Sequence, residues 1–209
     1  MPEFSDGAEV TTGAKRDVRV ALLARRRSLT AAQRAAAAGR VQAELAALVR
    51  RLRPRRMTAY VPVASEPGGP DLPAVLHAAL PEGAELLLPV LREDLDLDWA
   101  PWTGPADLVA AGRGMREPTW PRLGVTAVAS AELVVVPALA VDRRGVRLGR
   151  GGGSYDRALA RVPTSALTVV PLYDGELVGA LPAEPHDRPV RAVVTPAGGL
   201  RTLDGTTPA

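Results

Sequence analysis

An unbroken apolar run from Glu132 to Leu139, leading directly into the glycine- and arginine-rich segment Val141 to Arg157, most limits what this chain can fold into. A run of that kind suits a strand buried on both faces, as strands are in a parallel sheet. The glycines then bring the chain to a helix start, with a helix expected over Tyr155–Arg161. A strand, a glycine loop and a helix in succession form one repeat of an α/β fold. In such sheets ligands bind beyond the carboxyl ends of the strands, where this loop falls.

The rest of the chain repeats the alternation. Helices are expected over Asp17–Arg27, with Val18, Leu22 and Leu23 on one side and arginines opposite, and over Thr30–Leu52. Thr30 and Gln33 have capping-box spacing, and Pro54 stops the second helix. A strand over Met57–Val63 precedes a Ser65–Gly69 loop, and Asp71 opens a short helix to Leu80. Glu85–Val90 reads as a strand. Leu95, Leu97 and Trp99 alternate with Asp94, Asp96 and Asp98 as in a half-exposed strand. Pro101–Thr126, rich in proline and glycine, reads as a long loop with at most one helical turn near Ala106–Ala111. Ala166–Leu172 and Arg191–Thr195 supply two more strands. The expectation is one α/β domain with a largely parallel central sheet flanked by helices, over residues 15–197. It has a disordered start at 1–14 and a tail at 198–209.

Composition narrows the chemistry. There is no cysteine, which removes disulfides, thiolate catalysis and cysteine-held metals. The two histidines, His77 and His186, are too few for a zinc site without cysteine. Net charge is +3, and Lys15 is the lone lysine among basic side chains that are otherwise all arginine. The acidic, polar opening does not resemble a secretory signal, and no run is long enough to span a membrane. A cytoplasmic enzyme with an anionic small-molecule ligand is expected. The cluster Arg50, Arg51, Arg53, Arg55 and Arg56 reads as a solvated helix end, since no stacking aromatics accompany it to suit nucleic acid. Asp94, Asp96 and Asp98 lack the glycine and closing glutamate of a calcium loop.

The segment Arg147-Leu148-Gly149-Arg150-Gly151-Gly152-Gly153-Ser154-Tyr155-Asp156-Arg157 has the design of a phosphate site. Backbone N–H groups crowd around phosphate oxygens only where side chains are absent, and neighbouring cations favour the charge. The spacing fits neither a P-loop nor a dinucleotide fingerprint, because no lysine precedes Ser or Thr after the last glycine and Ser154 stands where a third glycine belongs. A serine-hydrolase elbow fails as well, since Asp156 follows Ser154 by two.

RLGRGGGSYDR from Arg147 to Arg157, preceded by VVVPALAVDRRG, resembles the signature of the 5-formyltetrahydrofolate cyclo-ligase family, also called methenyltetrahydrofolate synthetase. Weaker resemblances span nearly the whole chain: Lys15 and Arg19, YVPVASE with Val61 and Glu66, Glu117 with Pro118, and Pro182 to Asp187. The resemblance implies a fold like that of the NagB/RpiA/CoA transferase group and a monomer that uses ATP and magnesium. The implied reaction has the formyl oxygen of 5-formyltetrahydrofolate attack the γ-phosphate, after which the nitrogen at position 10 closes the ring and phosphate leaves. It implies that Lys15, Arg150 and Tyr155 act in the reaction, with Lys15, Arg16, Asp17, Val18, Arg19 and the loop Arg147–Tyr155 on ATP. Arg19, Val61, Glu66 and Arg150–Ser154 would face the folate, with or without a polyglutamate tail, and Asp156 and Asp187 would hold magnesium. Ser154 stands where the family usually has a tyrosine, and Gly152 where a lysine is common. Two other readings share the loop: a paralogue acting on another formyl or carboxyl compound, and a non-catalytic nucleotide-binding module.

Overall fold

The computed structural model of the protein describes residues 6–119, 121–183 and 187–203. In chain order it comprises α1 (Asp6–Ser28), α2 (Ala31–Leu52), β1 (Arg56–Thr58), α3 (Leu72–Ala79), β2 (Glu85–Leu91), β3 (Leu97–Pro101), β4 (Leu108–Ala110) and β5 (Arg116–Pro118). There follow β6 (Leu133–Val135), β7 (Ala140–Asp142), β8 (Arg147–Leu148), α4 (Ser154–Leu159), β9 (Leu167–Pro171), β10 (Leu177–Val178), β11 (Ala192–Thr195) and β12 (Gly199–Thr202). Residues 1–5, Trp120, residues 184–186 with His186, and residues 204–209 lie outside the described residues.

Strand alternation builds the central layer. Seven strands run in the order β12-β11-β9-β6-β1-β2-β3, with the five from β11 to β2 parallel and an antiparallel strand at each edge. Side chains of one parity, such as Met57, Leu86, Leu88, Leu133, Val135 and Val194, meet Val41, Leu45, Leu48 and Val49 of α2 and Leu72 and Leu76 of α3. Those of the other parity, including Val134, Val136, Val170 and Val193, meet Leu159 of α4. Both faces are therefore covered, as a parallel sheet requires. A small sheet, β10-β7-β8, carries α1 through Leu22 packed on Leu139, Val146 and Leu148. No described helix is long and apolar enough to cross a membrane.

The capping box is present in full: the Gln33 amide donates to Thr30 Oγ1 at 3.1 Å and the Thr30 amide to Gln33 Oε1 at 2.8 Å. Elsewhere the structure departs from expectation for identifiable reasons. α1 begins at Asp6 rather than Asp17. The strand expected over Met57–Val63 stops at Thr58; further on, Pro62 has no amide to donate and Ala64 turns through φ 54°. Asp96 and Asp98 are buried rather than solvated. Arg161 grips Asp96 from two nitrogens at 2.9 and 2.6 Å, and Asp98 Oδ1 accepts the Gly124 amide at 2.8 Å. The 101–126 segment is not a plain loop but contains the β4–β5 hairpin. It holds two complete 3₁₀ turns, Pro105–Asp107 and Gly112–Gly114, where at most one was expected, and a third 3₁₀ segment starts at Val125. Residues 199–202 are the edge strand β12, not a tail. The last helix covers Ser154–Leu159 rather than Tyr155–Arg161.

The turn before the glycine loop is fixed by Asp142, which is fully buried. Its Oδ1 accepts the amides of Arg144 and Val146 at 2.9 and 3.0 Å, and its Oδ2 accepts that of Leu181 at 3.1 Å. Burial pushes this carboxyl up, but the Arg144 guanidinium and the three amides outweigh it and hold it below the ordinary value. Gly145 completes the turn at φ 86°, where a Cβ would run into the carbonyl oxygen of Val190. Gly145→Ala is expected to cost about 3 kcal/mol in urea unfolding, from left-handed strain plus the collision. Gly83→Ala, at φ 77° with open space around it, should cost only about 1 kcal/mol; equal costs would contradict this account of the turn.

Candidate functional site

β1 and β6 lie side by side and parallel, yet the chain leaves β1 toward β2 and leaves β6 toward β9. Loops that part in this way open a crevice at the carboxyl ends of the two strands. A cavity of about 600 Å³ occupies that place, lined by Val61 and Glu66 after β1, Pro137–Leu139 after β6, and the whole stretch Arg147–Asp156.

The glycine loop forms one wall. Among the described residues, no acceptor takes the amides of Gly149, Arg150, Gly151, Gly152 and Gly153. Gly151 and Gly153 sit at φ 98° and 70°, which only glycine adopts freely. A Cβ on Gly149 would stand 2.7 Å from Arg147 Nη1, so the missing side chain makes room for that guanidinium. Arg147 in turn pairs with Asp156. Helix α4 has only six residues, so its dipole is slight, and attraction for an anion rests on free amides and nearby cations.

Helix α1 supplies a second wall. Lys15, Arg19 and Arg26, four and then seven residues apart, face the cavity. Lys15 Nζ stands 3.3 Å from Asp187 Oδ2, and Arg19 Nε donates to the carbonyl of Gly149 at 3.0 Å. Arg19 and Arg26 thus lie on the packed side of the helix and not opposite it. Arg16 and Asp17 are exposed and Val18 packs on the small sheet, so of residues 15–19 only Lys15 and Arg19 line the cavity.

The third wall holds Tyr60, Val61, Val63 and Glu66 beside Pro89, Leu91 and Met115. Glu66 Oε2 accepts the Val63 amide at 2.9 Å, and Glu66 Oε1 lies 3.3 Å from Arg150 Nε. Burial pushes the Glu66 carboxyl up, and the Val63 amide, Arg150 and Arg26 offset only part of that, so it stays above the ordinary 4.5. The Tyr155 hydroxyl is buried at the cavity with no partner among the described residues, and burial also raises it. Glu117 Oε1 accepts the Leu91 amide at 2.9 Å, tying β5 to the end of β2.

Asp156 and Asp187 line this same cavity, each already beside a cation. The described residues contain no group of three or more metal-binding side chains. Two carboxylates fit magnesium, which commonly takes one or two from the protein and the rest of its oxygens from phosphates and water. Tyr60, Arg26, Pro89, Leu91, Met115 and Arg116 also line the cavity without having been singled out in the sequence. Arg26 alone carried a signal, its helical spacing from Lys15 and Arg19.

A model of the 5-formyltetrahydrofolate cyclo-ligase family matches residues 11–196. A protein of Mycolicibacterium smegmatis named 5-formyltetrahydrofolate cyclo-ligase is 43% identical over 194 residues, covering 90% of this chain and 97% of its own length. The protein of that name from Escherichia coli is 31% identical over 157 residues, 68% of this chain and 85% of its own. The solved structure of Aquifex aeolicus 5,10-methenyltetrahydrofolate synthetase superposes with a TM-score of 0.72 at 26% identity, covering 93% of this chain and 95% of its own. A match across nearly the whole chain, on a cavity lined by the same glycine segment, shows that the chain belongs to the 5-formyltetrahydrofolate cyclo-ligase family.

Proposed function

We propose that the protein converts 5-formyltetrahydrofolate to 5,10-methenyltetrahydrofolate at this cavity, consuming ATP with magnesium as cofactor and releasing ADP and phosphate. The observation that carries this is the union, in one cavity, of unaccepted glycine amides and cations with a buried carboxyl on an apolar wall. The first wall suits a triphosphate and the second a flat heterocycle with polar edges.

The formyl oxygen attacks the γ-phosphorus and ADP leaves; the nitrogen at position 10 then attacks the formyl carbon, loses its proton, and phosphate departs with that oxygen. Phosphoryl transfer needs positioning and charge neutralisation more than a protein nucleophile. The amides of Gly149–Gly153 and the cations Lys15, Arg147 and Arg150 provide both. Asp156 and Asp187 would hold magnesium, which would supply further neutralisation of the phosphate charge. Without ligand those carboxylates sit on Arg147 and Lys15; with ligand the cations turn to phosphate, so each charge changes partner and none is left alone. Glu66, its carboxyl raised by burial, faces the pterin edge beside Val61. Arg19 and the Arg150–Ser154 stretch border both ligands, and Ser154 leaves an aromatic's space open. The bound folate is free to carry a polyglutamate tail, and the protein acts as a monomer in the cytoplasm.

Purified protein given magnesium ATP and 5-formyltetrahydrofolate should form methenyl product and ADP in equal amounts, and no product without ATP. ATP bound but never consumed would refute the reading in favour of a non-catalytic module. Asp156→Asn and Asp187→Asn should each lower turnover by about 100-fold while the fold survives; undiminished turnover refutes their assignment. Tyr155→Phe should leave urea stability unchanged or raise it by about 1 kcal/mol, since the hydroxyl has no partner among the described residues, and lower kcat/KM about tenfold. A stability loss above about 2 kcal/mol would contradict that picture of the hydroxyl.

A further inference from the structure

Arg26 carries a full charge into the interior, where it is 1% exposed. Its Nε and Nη2 donate to Glu176 Oε1 and Oε2 at 2.7 and 2.8 Å, and Nη2 also donates to the carbonyl of Ala138 at 2.6 Å. Glu176, equally buried, accepts the Tyr173 amide at 2.8 Å. The carbonyl of Glu176 accepts the Val141 amide at 3.1 Å. The guanidinium lies 5.6 Å from the centre of the Tyr173 ring.

Burying both charges costs desolvation that their attraction barely recovers, so stability alone does not account for the pair. What an apolar pair would lack is direction. A bidentate arginine–carboxylate pair fixes orientation as well as distance. Here it joins α1 to the loop after β6, through Ala138, and to the loop after β9, through Tyr173. Arg26 is eleven residues from Lys15, roughly 16 Å along the helix at 1.5 Å per residue. Held there, α1 is set in both rotation and sliding, which decides where Lys15 and Arg19 stand beside Asp187 and Gly149.

We propose that Arg26, locked by Glu176, is a positioning residue for the triphosphate wall, placing Lys15 and Arg19 without itself touching the reacting atoms. This rests on reading the cavity as an ATP site. The test replaces both partners together, Arg26→Met with Glu176→Leu, so that no lone charge is buried. The double variant should keep its circular dichroism and melting temperature, yet bind magnesium ATP about tenfold more weakly in equilibrium dialysis. Its affinity for 5-formyltetrahydrofolate, which borders Arg19 but not Lys15, should fall clearly less, by about threefold. Wild-type affinity for magnesium ATP in the folded double variant overturns the proposal, and so does equal weakening toward both ligands, which marks general loosening. Arg26→Lys covers a double variant that fails to fold, because lysine keeps the charge but cannot span Glu176 and Ala138 together. It should weaken magnesium ATP about threefold; unchanged affinity overturns the proposal equally. A wild-type protein that binds no magnesium ATP would instead refute the ATP reading beneath it.

Discussion

Five successive backbone amides, from Gly149 to Gly153, with no acceptor among the described residues are the constraint on which the rest of the site depends. An amide taken from water without a partner costs about 1–3 kcal/mol, so a row of them persists only where solvent or an anion can reach it. The fold provides such a place. Parallel β1 and β6 send their loops in opposite directions, and Asp142 with Gly145 turns the chain so that the glycine row borders the resulting crevice. Removing the Asp142 carboxyl would free three amides at once and release the turn that aims the loop.

Charge is arranged to match. Lys15 with Asp187 and Arg147 with Asp156 are pairs of modest reach at the cavity wall, each able to exchange its partner for phosphate or metal. Arg26 with Glu176 differs in being sealed from solvent and joined to the backbone of two loops. On the proposed reading the first two pairs open for the ligand, and the third stays closed. Glu66, desolvated on the far wall, adds a carboxyl whose burial favours the protonated form.

The glycine loop's place on the cavity wall was legible in the sequence because its backbone shape depends on missing side chains, and absence is visible in sequence. The parallel sheet was legible for a similar reason: Leu133–Val136 is apolar at every position, which only a strand covered on both faces sustains. The shapes of other elements depended on distant partners. Asp96 and Asp98 looked solvated until Arg161 and Gly124 were seen to cover them. Arg26 looked like a surface cation because its counter-charge, Glu176, lies far along the chain. Tyr60, Leu91 and Met115 carry ordinary core chemistry, and only the topology brings them to the cavity. Edge strand β12 was missed because its ladder with β11 lies in backbone bonds that residue types barely encode.

The central claim, that the bare amides after β8 grip the triphosphate, is tested most directly by following ¹⁵N-labelled glycine amide resonances as magnesium ATP is added. Gly149, Gly151, Gly152 and Gly153 should shift together and saturate with one affinity, while Gly83 and Gly104, remote from the cavity wall, stay in place. Shifts confined to glycines outside this loop, with those four unmoved at saturation, would contradict the account.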